Sequence, residues 1–285
     1  MAIPGSVSGE IPLPFQRLTG HPWTMAALDL FPRPDTREAP RRARPRTGRR
    51  LVELGLLVLL YVAYSGSRLL ASDDLGAARD NAQELLRLEH AWHLDVERTL
   101  SGWFLDVPAL GLAGSYYYAT AHYVVTLVVV LWLHRRGGAA YLRSRNALVV
   151  ATVAGLLCYL WFPVAPPRLT GLGHTDVMEA YAASGWWGGQ ASAPRGLGEY
   201  TNELAAMPSL HAGWALWVLV AVTAAGAPLL VRRLALAHVL VTAVVVVGTG
   251  NHWVLDVVGG WLLVGAAAYA CGALGTRRRG GTPPG

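Results

Sequence analysis

Residues 250–256, Gly-Asn-His-Trp-Val-Leu-Asp, stand at the start of a strongly apolar segment and carry a histidine and an aspartate. His252 and Asp256 are four residues apart, and on a helix this spacing places both side chains on one face, one turn apart. Asp256 can therefore hold the imidazole of His252 in one tautomer and stabilise its positive charge. The stretch therefore predicts that His252 and Asp256 form one half of a catalytic site at the start of a membrane helix.

A second fragment, Met-Pro-Ser-Leu-His at 207–211, supplies another histidine 41 positions before His252. Crossing a hydrocarbon core of roughly 30 Å takes about 20 helical residues, so this spacing suits two helices that cross a membrane and return. We therefore expect His211 and His252 to emerge on the same side of the membrane. Ser209 suits the cap of the helix that follows, and Pro208 suits its first turn.

The composition is that of an integral membrane protein. The chain has 285 residues, of which 53% are apolar and 15% charged, and the apolar residues fall in long blocks. The net charge of +6 comes from arginine, because the chain contains no lysine. These arginines flank apolar blocks, where basic residues set membrane topology, so nucleic-acid binding is not predicted. Cys158 and Cys271 lie inside apolar blocks, which predicts neither a disulfide nor a cysteine metal site.

The pattern of apolar blocks predicts an all-α fold, a polytopic six-helix transmembrane bundle with an interfacial helix and a large outer loop. A helical apolar stripe along residues 72–102 predicts the interfacial helix, or one packed over the bundle. The polar, Gly- and Trp-rich residues 163–206 predict a structured cap or lid. The six spans are expected at about 51–70, 107–134, 146–162, 209–225, 234–247 and 253–274.

Domain organisation and topology follow from charge. Residues 1–49 predict a disordered basic cytoplasmic arm, residues 50–275 the membrane domain, and residues 276–285 a disordered basic tail. With the amino terminus inside, 18 of the 24 arginines lie on the inner side and six in outer loops. This asymmetry predicts a multi-pass protein of the plasma membrane with both termini cytoplasmic. Arg168, His211 and His252 then lie together at the outer face.

The predicted outer site suits a phosphate ester. Arg168 follows two prolines and offers a planar fork that fits phosphate oxygens, while the helix start at Ser209 attracts an anion. One imidazole can attack phosphorus while the other protonates the departing oxygen. The sequence shows no cluster of hard-metal ligands, which favours a metal-independent reaction without a cofactor.

Residues 207–211 and 252–256 resemble the second and third signature motifs of the type 2 phosphatidic acid phosphatase superfamily. The resemblance implies that His211 is the leaving-group acid and that His252 is the nucleophile that becomes phosphohistidine, oriented by Asp256. Residues 162–168, Phe-Pro-Val-Ala-Pro-Pro-Arg, resemble the corresponding element of the branch that includes fungal inositol phosphorylceramide synthase. The resemblance covers about residues 51–275 and implies a lipid phosphatase or phosphotransferase, inositol-phosphotransferase-like.

The chain lacks two positively charged groups that the motifs of the superfamily carry. The first motif of the superfamily carries a Lys and an Arg-Pro pair, whereas this chain has no Lys and reads Pro-Arg at 167–168. The third motif carries Ser-Arg ahead of its histidine, where this chain has Val-Val at 245–246. Phosphate binding is therefore expected from Arg168, Ser209 and Asn251, with Arg195 and His174 as further candidates.

Two other classes of protein remain open from the sequence. A membrane b-type cytochrome could use His211 and His252 as axial ligands, and a transporter or scaffold could carry a relict, non-catalytic site. The predicted partners are a lipid phosphate substrate and membrane lipids, and the oligomeric state is open. Phosphatidate, a polyprenyl phosphate, phosphatidylinositol and a glycolipid phosphate all fit as substrates, and the motifs do not separate hydrolase from transferase.

Overall fold

The structure, a computed structural model, describes residues 74–187 and 203–277, together with a discontinuous set between 51 and 66; side chains of the last helix are described as far as 272. The described residues are helical and contain no β-strand, only an isolated parallel bridge between Val164 and Ala205. The predicted all-α class is therefore confirmed. The helices are α1 Leu75–Ala91, α2 Glu97–Asp106, α3 Pro108–Arg136, α4 Gly138–Trp161, α5 Val177–Ala180, α6 Leu210–Ala224, α7 Leu229–Gly248 and α8 Val254–Arg277, with 3-10 turns at Pro167–Leu169 and Ala182–Ser184.

Four helices, α3, α4, α7 and α8, are long and apolar enough to cross a membrane, which makes this a multi-pass membrane protein. Helix α6 is apolar but has only 15 residues. The described residues between 51 and 66 are helical, but most of the predicted first span, like the predicted basic arm and the end of the tail, lies outside the described residues. The count of six spans stays a prediction.

Two helices begin earlier than the membrane spans predicted within them. Helix α4 begins at Gly138 rather than near 146, because Gly137 alone joins it to α3 with a φ of 67°. Helix α7 begins at Leu229 rather than near 234. In both cases arginines occupy the extra turns, so the charged residues taken as the end of the loop belong to the helix.

The polar residues 72–102 form two helices rather than one stripe. The chain turns at His93, where φ is 57°, and this left-handed residue separates α1 from α2. The apolar side chains of α1 from Leu75 to Leu85 pack on a cluster that includes Val164 and Trp253. Beyond the turn the buried face of α2 carries Glu97, Ser101 and Phe104, which leaves Trp103 exposed.

Helices α6 and α8 approach closely at glycines, and this approach brings their starts together. A Cβ built on Gly260 would lie 2.1 Å from the backbone oxygen of Ser209, and one on Gly213 would lie 3.1 Å from the oxygen of Gly260. The Ser209 N–H donates to the carbonyl of Asp256 at 2.8 Å. His211 and His252, each near the start of its helix, are therefore at the same end of the helix pair.

Gly260→Ala should destabilise the protein by about 1–3 kcal/mol or more, because the new methyl meets a backbone oxygen that cannot move unless the helices separate. Thermal unfolding in detergent measures the effect. Gly265→Ala is the matched control on the same helix, since a Cβ there meets nothing within 4 Å. Equal midpoints for the two variants would contradict the close packing of α6 on α8.

Candidate active site

His252 is buried, and its hydrogen bonds define its tautomer. Its Nδ1 lies 3.0 Å from the carbonyl oxygen of Ala206 and 3.4 Å from Oδ2 of Asp256. A carbonyl oxygen only accepts hydrogen bonds, so Nδ1 carries the proton. In the neutral ring, Nε2 then holds a lone pair free for nucleophilic attack. The sequence did not predict the contact of Ala206 with His252, because a backbone carbonyl can make this contact whatever the side chain.

Asp256 is fully buried and has two roles. Its Oδ2 accepts the N–H of Trp253 at 2.8 Å, so the carboxylate caps the first turn of its own helix. Its contact with His252 is longer than that of Ala206. Orientation of the imidazole, expected from Asp256 alone, is thus shared with the Ala206 carbonyl.

His211 lies in the first turn of α6 beside His252. The two ring centroids are 5.5 Å apart with an angle of 60° between the planes. The two histidines, 41 residues apart in the sequence, therefore lie together as expected. Tyr118 of α3 stacks on His211 at 4.5 Å, and His122, one turn further along α3, lies at 3.9 Å. His122 and His211 also line one small cavity.

Arg168 stands next to the residues that precede His252. Its N–H donates to the carbonyl of Gly250 at 3.1 Å, and its Nε donates to Oδ1 of Asn251 at 3.0 Å. Gly250 has a φ of 74°, and a Cβ there would lie 2.6 Å from the backbone oxygen of Thr175, so this close approach requires glycine. The structure therefore holds Arg168 against Gly250 and Asn251, the two residues that precede His252.

Two carboxylates also contact Arg168, and the sequence predicted neither contact. Nη1 lies 3.3 Å from Asp176 and Nη2 lies 3.4 Å from Glu203, and the arginine side chain is only 6% exposed. Both acids come from the 163–206 segment, where no periodicity predicts side-chain direction. A phosphate bound at this guanidinium must compete with them for its N–H donors.

Helix α1 holds the segment that carries Arg168. The N–H of Ala165 donates to the carbonyl of Ala78 at 3.0 Å. Asn81 donates to the carbonyl of Pro163 at 2.9 Å, and Arg79 donates to that of Leu169 at 2.8 Å. The first part of the predicted cap is therefore structured, while residues 188–202 lie outside the described residues.

Ser209 caps α6 rather than facing an open site. It is fully buried, and its Oγ accepts the N–H of Ala212 at 3.3 Å. The helix begins at Leu210, so Pro208 precedes the cap and is not in the first turn as predicted. The hydroxyl is thus committed to the local backbone, and its predicted role at phosphate stays a prediction.

The remaining phosphate-binding candidates differ in position. His174 packs edge-on against the Trp253 ring at 5.2 Å. Burial, with a further contribution from Arg98, lowers the pKa of His174 to about 4, so this ring is uncharged near neutral pH and adds no cation. Arg195 lies outside the described residues. Within the described part of the chain, no group of three or more His, Cys, Asp or Glu side chains is placed to hold a metal ion.

Fold and site together define an all-helical, multi-pass membrane protein in which two histidines meet at the starts of adjacent helices, beside an arginine. The family model of the PAP2 superfamily matches residues 83–270, about two thirds of the chain. The protein belongs to the PAP2 superfamily, and membership indicates a membrane enzyme of the phosphatase type. No curated protein and no solved structure matches the chain.

Glu203→Gln should strengthen phosphate binding, because it removes a negative charge that competes for Nη2 of Arg168 while keeping the side-chain size. The contact is partly exposed, so the expected gain is about 0.2–1 kcal/mol, up to about fivefold in the inhibition constant of inorganic phosphate. Competitive inhibition assays measure it. Glu84→Gln, an exposed carboxylate on α1, is the control. Weaker inhibition in Glu203→Gln than in the control would show that this acid helps rather than competes.

Proposed function

We propose that this protein is a lipid phosphatase or phosphotransferase whose reaction passes through a phosphohistidine at Nε2 of His252. One observation carries the proposal: the Ala206 carbonyl holds the proton on Nδ1 and so leaves the Nε2 lone pair free to act as the nucleophile. Membership of the PAP2 superfamily supports the same class of reaction over a bis-histidine cytochrome or a relict site.

In the first step, Nε2 of His252 attacks phosphorus and the ester P–O bond breaks. His211, in its imidazolium form, gives a proton to the departing lipid oxygen, which leaves as an alcohol. In the second step, water or an acceptor alcohol attacks phosphorus and gives its proton to the now neutral His211. The P–N bond breaks, and its electron pair returns to Nε2.

Charge on the transferred group is stabilised by Arg168, the cation beside His252. Its Nε is oriented by Asn251, while Asp176 and Glu203 hold the two terminal nitrogens. A phosphate that displaces the more exposed Glu203 would gain a charge-assisted hydrogen bond from Nη2. The N-terminal end of α6, capped by Ser209, adds a favourable dipole.

The finer assignment is an inositol-phosphotransferase-like enzyme of the plasma membrane, with its site at the outer face and no metal in the reaction. The Pro-Pro-Arg segment supports the branch, because its arginine is held directly against Gly250 and Asn251. The arginine asymmetry supports the orientation.

The test uses purified protein in detergent with a chelator, a panel of phospholipids and polyprenyl phosphates, and an acceptor such as inositol or diacylglycerol. Phosphate or head-group release that survives chelation and is lost in His252→Ala and His211→Ala supports the proposal. Incorporation of the acceptor identifies a transferase, and release without incorporation identifies a hydrolase. Activity that needs a divalent ion, or that is unchanged in either variant, would overturn the two-histidine reaction.

A further inference from the structure

Two buried glutamates lie next to the site and take no part in the reaction proposed above. Glu89 stands near the end of α1 and Glu97 begins α2, and their exposed fractions are 0% and 1%. Glutamate is almost never fully buried without a partner, because removing a carboxylate from water is costly. The partners of these two side chains therefore indicate what they do.

Both carboxyl groups bind the first turn of α8. Oε1 of Glu97 accepts the N–H of Val254 at 3.0 Å, and Oε1 of Glu89 accepts the N–H of Leu255 at 2.7 Å. These backbone N–H groups have no partner within their own helix. The preceding N–H, that of Trp253, binds Asp256. Three successive donors between the nucleophile and its aspartate are thus satisfied by three carboxyl groups.

The two glutamates also interact with each other, side chain to side chain. Burial and, next, the neighbouring Glu97 raise the pKa of Glu89 to about 9, and burial also raises the pKa of Glu97. The other charged group facing the pair is Asp256 of α8, whereas the guanidinium of Arg98 reaches away to the carbonyl of Leu172. Glu89 is therefore protonated at neutral pH.

We propose that Glu89 and Glu97 are positioning residues for the nucleophile: by holding the N–H groups of Val254 and Leu255 they keep His252 and Asp256 in register. This proposal rests on the proposed function, because it concerns the rate of attack by His252. A small displacement of a nucleophile costs orders of magnitude in rate, whereas binding of the lipid elsewhere is unaffected.

A positioning role predicts a specific dependence on pH. Above about pH 9 Glu89 loses its proton, its new negative charge is repelled by the neighbouring carboxylates, and the first turn of α8 loosens, so kcat should fall on the alkaline side. Glutamine at position 89 keeps an oxygen for the Leu255 N–H and supplies an N–H donor to Glu97 that does not titrate. Glu89→Gln should therefore retain kcat within about threefold and extend the active range by about one pH unit or more.

The same proton links stability to pH. In the unfolded chain Glu89 ionises near its ordinary pKa of about 4.3, whereas in the fold it stays protonated to about 9. Wild-type stability should therefore fall as pH rises between these values, and Glu89→Gln should flatten that fall.

The experiment compares Glu89→Ala, Glu97→Ala and Glu89→Gln with the controls Glu84→Ala and Glu84→Gln, which alter an exposed carboxylate on the same helix. Expected results are a kcat lower by about 10- to 100-fold in the two buried alanine variants, with KM within about threefold. Amide hydrogen exchange of Val254 and Leu255, which needs no substrate, should accelerate in the alanine variants and stay slow in Glu89→Gln.

The outcomes separate this proposal from the proposed function. Activity that depends on His252, combined with an alkaline limb that persists unchanged in Glu89→Gln, would leave the function standing and overturn the positioning role. Losses in the alanine variants that match only the loss of folded protein would also overturn it. Unchanged exchange at Val254 and Leu255 in the alanine variants would overturn it whether or not any substrate on the panel is turned over.

Discussion

His252→Ala is expected to lower kcat by about four orders of magnitude or more, because in the proposed reaction it removes the atom that forms the covalent intermediate. The Ala206 carbonyl and Asp256 hold the ring by Nδ1. Release of phosphate or head group from radiolabelled lipid measures the loss. Acid-labile label on the wild-type protein, absent from the variant, identifies the phosphohistidine directly.

His90→Ala is the control for this result, since His90 is exposed and pairs with Asp95 away from the site. It should retain wild-type turnover. Residual activity above about a tenth of wild type in His252→Ala would be too large for loss of a nucleophile. That outcome would mean that His252 orients the substrate or stabilises its charge. The proposed covalent step would then have no identified nucleophile.

His211→Ala should show a loss that depends on the leaving group. Departure of a lipid alkoxide needs a proton, so the variant should lose about 10²- to 10⁴-fold on lipid substrates. An activated aryl phosphate leaves as a weakly basic anion, and its cleavage should fall by only about tenfold. Water in the second step also loses its base, so the variant should accumulate the phosphohistidine with such an ester. A burst of aryl alcohol equal to the enzyme present measures this.

The geometry of His211 supports that division of roles, because its ring lies 5.5 Å from that of His252 and packs on Tyr118 and His122 from α3. A group placed there can reach the departing oxygen while His252 attacks phosphorus from the other side. Equal losses of His211→Ala on lipid and aryl esters in the first step, measured as the rate at which the alcohol is first released, would contradict the role of acid. His90→Ala again serves as the control, with no dependence on the leaving group.

The ion pairs of Arg168 affect how tightly the site binds phosphate, whether the enzyme is a hydrolase or a transferase. Its guanidinium already meets Asp176 and Glu203, so its positive charge is partly neutralised before substrate arrives. Competition from these carboxylates weakens phosphate binding, which suits an enzyme that must release phosphate or transfer a head group. Phosphate binding that is equally tight in every state of the reaction does not accelerate turnover.

Several features of this protein are determined by local sequence. Long apolar blocks predict membrane helices because each block alone must bury its backbone polar groups as a helix. The 41-residue spacing predicts the meeting of His211 and His252 because helix rise and membrane thickness are fixed lengths. The Pro-Pro-Arg segment predicts a positioned arginine, and the structure holds it against Gly250.

Other features depend on tertiary packing alone. The carbonyl of Ala206, the acids Asp176 and Glu203 at the arginine, and the cap of α8 by Glu89 and Glu97 have no local pattern. Glu89 and Leu255 are 166 residues apart, and only the docking of α1 against α8 brings them within 2.7 Å. The periodicity of a sequence tells which face of a helix is apolar, but a hydrogen bond between distant segments requires their relative position. Sequence therefore determined which groups could react, and the packing of α1, α2 and the 163–206 segment decided how those groups are held.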